Sequence, residues 1–223
     1  MMFALVILPA IGKSKMMLSN FELSSLAKDN FNLYRTPTVV RIVLSVYVGL
    51  TAVTTLLLKL CGMTWFDSVC HAMSACGTCG FSTKNLSIGW FDSFSVELVL
   101  MVAMVVAGIH FGLIFATLRR QSNNIFRSEI TRTYFTVIGV SALLIGISLW
   151  MADIYPDIFE SLRDSLFHTV SLITTTGFAT TDCNEWTSFA IMILIFCSVV
   201  CACAGSTSGG MKIDRLLLAL KML

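Results

Sequence analysis

An all-α integral membrane fold, assembled from parallel repeats of helix, re-entrant half-helix and helix, is what this sequence predicts, and three observations predict it. Charged residues make up 13% of the 223 and hydrophobic ones 56%, with a mean hydropathy of +0.83, whereas a soluble domain is about 25% charged. Four apolar runs, 38–60, 91–118, 134–152 and 187–203, approach or exceed the roughly 20 residues that a helix needs to cross hydrocarbon. Finally, "FDSVCHAMSACGTCGFSTKN" (66–85) matches "RDSLFHTVSLITTTGFATTD" (163–182) at eight of twenty positions, 97 residues apart, against roughly one expected by chance.

In chain order, residues 1–34 read as the end of a preceding repeat (Met1–Ile11) and a cytoplasmic linker. "MMFALVILPAIG" has neither the basic flank nor the small-residue cleavage site of a signal peptide. A first repeat unit covers 35–118: a span, a half-helix at Trp65–Gly77, and a second span. A basic cytoplasmic linker, 119–131, leads to a second unit, 132–223, with a span, a half-helix at Phe159–Thr175 and a last span. Each half-helix is too short to cross, because about 12 residues rise only about 18 Å. The same 97-residue frame pairs Arg35 and Thr36 with Arg132 and Thr133, and Ala107, Gly108 and Gly112 with Ala204, Gly205 and Gly209, so the whole unit is repeated.

Charge sets the orientation. Lys13, Lys15, Lys28, Arg35 and Arg41, then Arg119, Arg120, Arg127 and Arg132, then Lys212, Arg215 and Lys221 flank the spans on one side, which is therefore cytoplasmic. The segment 153–185 carries Asp153, Asp157, Glu160, Asp164, Asp182 and Glu185 against Arg163, and is expected outside. The net charge of +2 points to no acidic or basic partner, nucleic acid included. Two units in one orientation imply a rotation axis along the membrane normal.

The chemistry is expected at the half-helix ends. Irregular backbone inside hydrocarbon persists only where it is buried in protein or lines a water-filled cavity, so "TTTGF" and "GTCGF" have to line something. A helix ending there aims its carbonyl end, about half a negative charge, at that cavity. Turning successive carbonyls toward one axis needs positive φ, which glycine adopts at no cost; Gly80 and Gly177 are the expected positions. Neither loop core holds an acidic side chain, so the ion would be bound by neutral oxygens of Gly77, Thr78, Cys79 and Gly80, and of Thr174, Thr175, Thr176 and Gly177. Such a site suits a monovalent cation, since a divalent one demands carboxylates.

"GFST" after "SVCHAMSACGTC", "TTTGFATTD" followed by Trp186, and "CAGSTSGGMK" (203–212) stand in an order and spacing that resemble the pore repeats of the TrkH/KtrB/HKT superfamily of potassium transporters, the TrkH branch most closely. The resemblance implies a potassium-channel-like ring of four repeats with one filter glycine each, the two here being the second and third. It implies that Ala204, Gly205, Ser206, Thr207, Ser208, Gly209 and Gly210 form an intramembrane loop that interrupts the last helix and gates the path below the filter. Six of these seven residues are Gly, Ser or Thr, whereas the aligned "AGIHFGL" is bulkier, so only the later helix is expected to break. It further implies potassium uptake across a bacterial inner membrane and a homodimeric assembly. A nucleotide-binding ring protein on the cytoplasmic face is implied as a regulator. Cys79 departs from the threonine or glycine usual before the filter glycine, leaving a backbone role. Two loops cannot surround an ion, so the chain reads as a fragment lacking the first and fourth repeats.

Other readings stay open. A sodium-permeable relative would share the fold. Cys70, Cys76 and Cys79 could make a thiol or metal site, but the repeat partners of Cys76 and Cys79 are Ile173 and Thr176. A structural bundle is disfavoured by the broken helix. The eight cysteines read as small apolar packing residues. "GSTSGGMK" is not a phosphate loop, since Met211 disrupts the pattern and no strand is expected ahead of it. No nucleophile with its base and no carboxylate pair is present, so no enzyme activity or cofactor is expected; the cation is substrate. His71 and His168, each four residues after an aspartate, are expected to fasten the half-helices. Glu97 is expected as a packing partner and His110 as a satisfied interior residue.

Overall fold

A computed structural model describes residues 36–118 and 128–222. The expected tail and linker at 1–34, and residues 119–127 of the basic linker, lie outside them. The described residues form eight α-helices in succession: α1 (Thr36–Leu60), α2 (Trp65–Cys76), α3 (Phe94–Ala107), α4 (Phe111–Leu118), α5 (Glu129–Met151), α6 (Ile158–Ile173), α7 (Ser188–Val199) and α8 (Ile213–Met222). Two residues, Val200–Cys201 (β1), pair in parallel with Met211–Lys212 (β2). The fold is otherwise all α, and this pairing, unexpected from sequence, closes the stem of the 204–210 loop.

Among the described residues two helices are long and apolar enough to cross a bilayer, Val43–Leu60 within α1 and the whole of α5. In α1 the hydroxyls of Thr51, Thr54 and Thr55 donate to the carbonyls four residues back at 2.9, 2.8 and 2.8 Å, which satisfies them without water. Helix α5 begins at Glu129, so the expected boundary at residue 132 falls inside it.

The other two expected spans are each interrupted. Residues 91–118 divide into α3 and α4 around Gly108–His110, and 187–203 stops as helix at Val199. The expectation that only the later copy breaks is thus corrected: the earlier helix ends at Ala107, and the later one at Val199, ahead of Ala204, the equivalent of Ala107.

Each repeat folds as a hairpin of a long helix and a short one, α1 with α2 and α5 with α6. Gly146 lets α5 and α6 approach: a β-carbon there would stand 2.6 Å from Leu162 Cδ2, and Ser161 Oγ donates to the Gly146 carbonyl at 2.8 Å. Such small-residue contacts replace the hydrophobic drive that lipid removes. The main core joins both repeats, with Leu58, Ile88, Leu100, Met104, Tyr134, Phe167 and Ile173 fully buried.

Candidate functional site

The two short helices end identically. Helix α2 stops at Cys76 and α6 at Ile173, 97 residues on. Past the first end, the amides of Gly77, Thr78 and Cys79 donate to Met73, Ala75 and Ser74 at 2.8, 3.3 and 2.9 Å. Past the second, those of Thr174, Thr175 and Thr176 donate to Val170, Leu172 and Ser171 at 3.0, 2.9 and 2.9 Å. Bonds five and three residues back around one left-handed residue make a Schellman cap.

That left-handed residue is threonine in both copies, Thr78 at φ 51° and Thr175 at φ 56°. Gly80 and Gly177 follow at φ 72° and 85°, as expected from sequence. The expectation that glycine alone supplies positive φ is therefore incomplete: the cap demands it two residues earlier. Other caps in this chain place Gly62 (φ 98°) and Asp153 (φ 53°) at the same station.

Conserved geometry also pins the chain leaving each bend. Thr83 Oγ1 donates to Asp67 Oδ1 at 2.6 Å, and Thr180 Oγ1 to Asp164 Oδ1 at 3.3 Å, both tying the exit segment to the first turns of its own half-helix. His71 Nε2 reaches Ser82 Oγ at 2.9 Å and His168 Nε2 reaches Thr180 Oγ1 at 3.3 Å. The histidines fasten the half-helices, as the sequence predicts.

The two bends touch. The backbone of Gly80 packs on the Thr176 carbonyl and that of Gly89 on the Thr180 carbonyl, each leaving no room for a β-carbon. The amides of Ile88 and Gly89 donate to the Ala179 carbonyl at 3.0 and 3.3 Å. Phe178, 2% exposed, stacks on His71 of the other repeat at 5.9 Å. One side stays open: Cys79 and Gly177 are exposed, and nothing lies within 4 Å of where a Gly177 β-carbon would be. Thr174 and Thr176 turn inward instead, their hydroxyls 2.9 Å apart and buried.

Directly against these bends lies the 204–210 loop. Its stem is the β1–β2 pairing, and Ala204 donates its amide to the buried Asp214 carboxylate at 3.2 Å. The break in the other repeat receives it. The carbonyls left open at the end of α3 are taken by loop-side donors, Gly108 by the Cys203 amide at 3.2 Å and Ala107 by Thr207 Oγ1 at 3.3 Å. In return the Phe111 amide, at the start of α4, donates to the Gly205 carbonyl at 3.3 Å. Helix-end groups that would otherwise lack partners are thus satisfied between repeats. His110, half-buried at this break, packs on Gly205, whose φ is 76°. Lys212 Nζ donates to the Ser208 carbonyl and, at 3.0 Å, to its hydroxyl.

Two of these contacts join bend to loop. Thr78 Oγ1 lies 3.1 Å from the Thr207 carbonyl and 2.8 Å from that of Gly77, and the Gly209 amide donates to Thr175 Oγ1 at 2.8 Å. The sequence gives no sign of them beyond the threonines themselves.

Cys70, Cys76 and Cys79 are half-buried, buried and exposed in turn, and no group of three metal-ligating side chains gathers among the described residues. At the far end of the bends, Arg163 of α6 grips Glu97 of α3 with two bonds of 2.6 and 2.7 Å. In the connecting segments, burial pushes the Tyr155 hydroxyl up to about 12 while it donates to Asp164 Oδ2 at 2.8 Å. Burial also raises the Cys183 thiol to about 11, beside His168 Nδ1 at 3.2 Å.

A family model described as TrkH, cation transport protein, matches residues 1–223. The Trk system potassium uptake protein TrkH of Salmonella typhimurium is 33% identical over 98% of this chain and 45% of its own length. TrkH of Halomonas elongata is 32% identical with the same coverage. The Trk system potassium uptake protein TrkG of Escherichia coli is 32% identical over 73% of this chain and 34% of its own. The crystal structure of the potassium transporter TrkH from Vibrio parahaemolyticus superposes with a TM-score of 0.82 at 29% identity, covering 98% of this chain and 44% of that one. The chain spans a little under half the length of these TrkH relatives.

Proposed function

This chain belongs to the TrkH family of cation transport proteins, and we propose that residues 77–80 and 174–177 are half of a potassium filter in a bacterial inner-membrane uptake protein, gated by the loop 204–210. The single observation that carries this reading is the pair of matched caps, which end two half-helices at the same point, in contact, with the loop against them. Helix carbonyl ends favour cations. The oxygens at the bends are neutral carbonyls and hydroxyls, which suit a monovalent ion that has to leave again.

The packing of the bends supports a ring. Phe178 stacks on His71 of the preceding repeat, whereas its equivalent Phe81 is 80% exposed. A head-to-tail contact of this kind continues around an axis until it closes, so Phe81 is read as the contact for a further repeat. The half-helices are re-entrant in this reading, the lipid bilayer surrounds the bundle, and the linker that follows the preceding repeat's end within 1–34 and the C-terminal end face the cytoplasm.

The test is Gly177→Ser in the intact transporter, expressed in cells that depend on it for potassium. Loss of potassium selection over sodium, or of uptake, is expected. Unchanged potassium dependence with unchanged sodium exclusion overturns the filter assignment. Sodium uptake by the unsubstituted protein would instead indicate the sodium-permeable relative.

A further inference from the structure

We propose that the Thr78 and Thr175 side chains latch the 204–210 loop to the filter bends, so that the position of the loop and the conformation of the bends are coupled through two hydroxyls. The proposal rests on the filter and gate reading above and assigns to these threonines a task separate from any carbonyl they contribute.

The starting point is a backbone anomaly. Thr78 and Thr175 occupy the left-handed station of a Schellman cap at φ 51° and 56°, where a β-branched residue is an outlier. Elsewhere the same chain uses Gly62, at φ 98°, for the same turn. Strain of this kind persists where the surrounding structure imposes it, and it gathers at functional sites. Here it recurs at equivalent positions of two repeats, so it belongs to the shared design.

What the two threonines share beyond the cap is their hydroxyls, and both hydroxyls go to the loop. Thr175 accepts from the Gly209 amide at 2.8 Å. Thr78 reaches the Thr207 carbonyl at 3.1 Å. A glycine would make the turn more easily and leave both loop groups without these partners. The two contacts differ in polarity, one accepting and one donating, because the loop belongs to a single repeat and presents different groups to each bend.

Thr78 has one hydroxyl hydrogen for two acceptors, the Thr207 carbonyl and, at 2.8 Å, the Gly77 carbonyl of its own bend. When the loop leaves, that hydrogen falls wholly to Gly77, a candidate filter oxygen. Loop position thereby alters the oxygen offered to an ion. By linkage, an ion drawn to that oxygen biases the loop in return.

The experiment is rubidium flux through the intact transporter in liposomes, without any activating partner. Thr175→Val, which keeps the shape and removes the acceptor, should raise the resting flux about fivefold, the ratio one net hydrogen bond sustains. Thr175→Gly should raise it likewise while leaving the thermal midpoint equal or higher, since it relieves the turn; it also serves if the valine variant fails to fold. Thr175→Ser should restore the closed state. A merely structural threonine would leave resting flux alone in the glycine variant. Flux in the valine and glycine variants equal to the unsubstituted protein, or serine as leaky as valine, overturns the latch. If the unsubstituted transporter passes no rubidium under any activating condition, the function reading fails first, and the latch with it.

Discussion

The backbone of Gly80 lies against the carbonyl oxygen of Thr176, so closely that residue 80 has no room for a β-carbon. A β-carbon on Gly177, its repeat equivalent, would meet nothing within 4 Å. The two glycines of the proposed filter are therefore unequal. One is held by a neighbouring loop and by φ 72°, the other by φ 85° alone.

Alanine should separate the two effects. Gly177→Ala meets only left-handed strain, about 1–2 kcal/mol, and should yield a folded transporter with a lowered thermal midpoint. Gly80→Ala adds a collision between backbone atoms that cannot rotate away, so it should part the two bends and abolish uptake. Equal thermal midpoints and equal uptake for the two variants would contradict the contact.

Glu97 is 4% exposed at its side chain while Arg163 is 30% exposed, and the pair joins α3 of one repeat to α6 of the other. Arg163→Leu leaves a buried carboxylate without its two donors, and should cost about 2 kcal/mol in the stability of the detergent-solubilised protein. Arg163→Lys should not recover it, because a lysine cannot make the paired contact. Adding Glu97→Gln to Arg163→Leu should return part of the loss, since the charge left behind is then removed. Strictly additive losses would show that the pair contributes nothing.

Cysteine chemistry gives a pH test. The Cys183 thiol is pushed up to about 11 by burial, so near pH 8 only about a thousandth of it is thiolate, the reactive form. Alkylation of Cys183 by iodoacetamide should be slow at pH 8 and rise about tenfold per pH unit up to pH 10. The sign follows from a raised value: the neutral thiol persists until the pH nears 11. A rise of only about fourfold in all between pH 8 and 10 would show a thiol at its ordinary value near 8.5. Mass spectrometry of a peptide containing Cys183 reads this directly.

Much of this was legible along the chain. The 97-residue repeat located both half-helices, and their ends at Cys76 and Ile173 lie within two residues of the expected Gly77 and Thr175. Gly80 and Gly177 take positive φ as composition and position require. These are local matters: apolar length, helix period and the freedom of a residue without a β-carbon act over a few neighbours.

The break at Gly108–His110 was not legible, because "AGIHFGL" has no run of small polar residues to announce it. It is stabilised by Cys203, Gly205 and Thr207, about 95 to 100 residues away, whose groups replace the helical bonds that α3 and α4 give up. The same holds for the hydroxyls of Thr78 and Thr175, whose use depends on a loop that only folding brings near.

By itself, then, the sequence determined the membrane-type helices, the 97-residue internal repeat, the two bends and their glycines, since each depends on sequence self-similarity, hydrophobic length or backbone freedom within a short segment. Only the tertiary structure decided that a threonine stands in each left-handed cap, that both inner helices break, and that bend and loop are hydrogen-bonded. A donor or acceptor inside apolar surroundings takes whichever partner the fold delivers, and here that partner lies 34 to 129 residues distant in the chain.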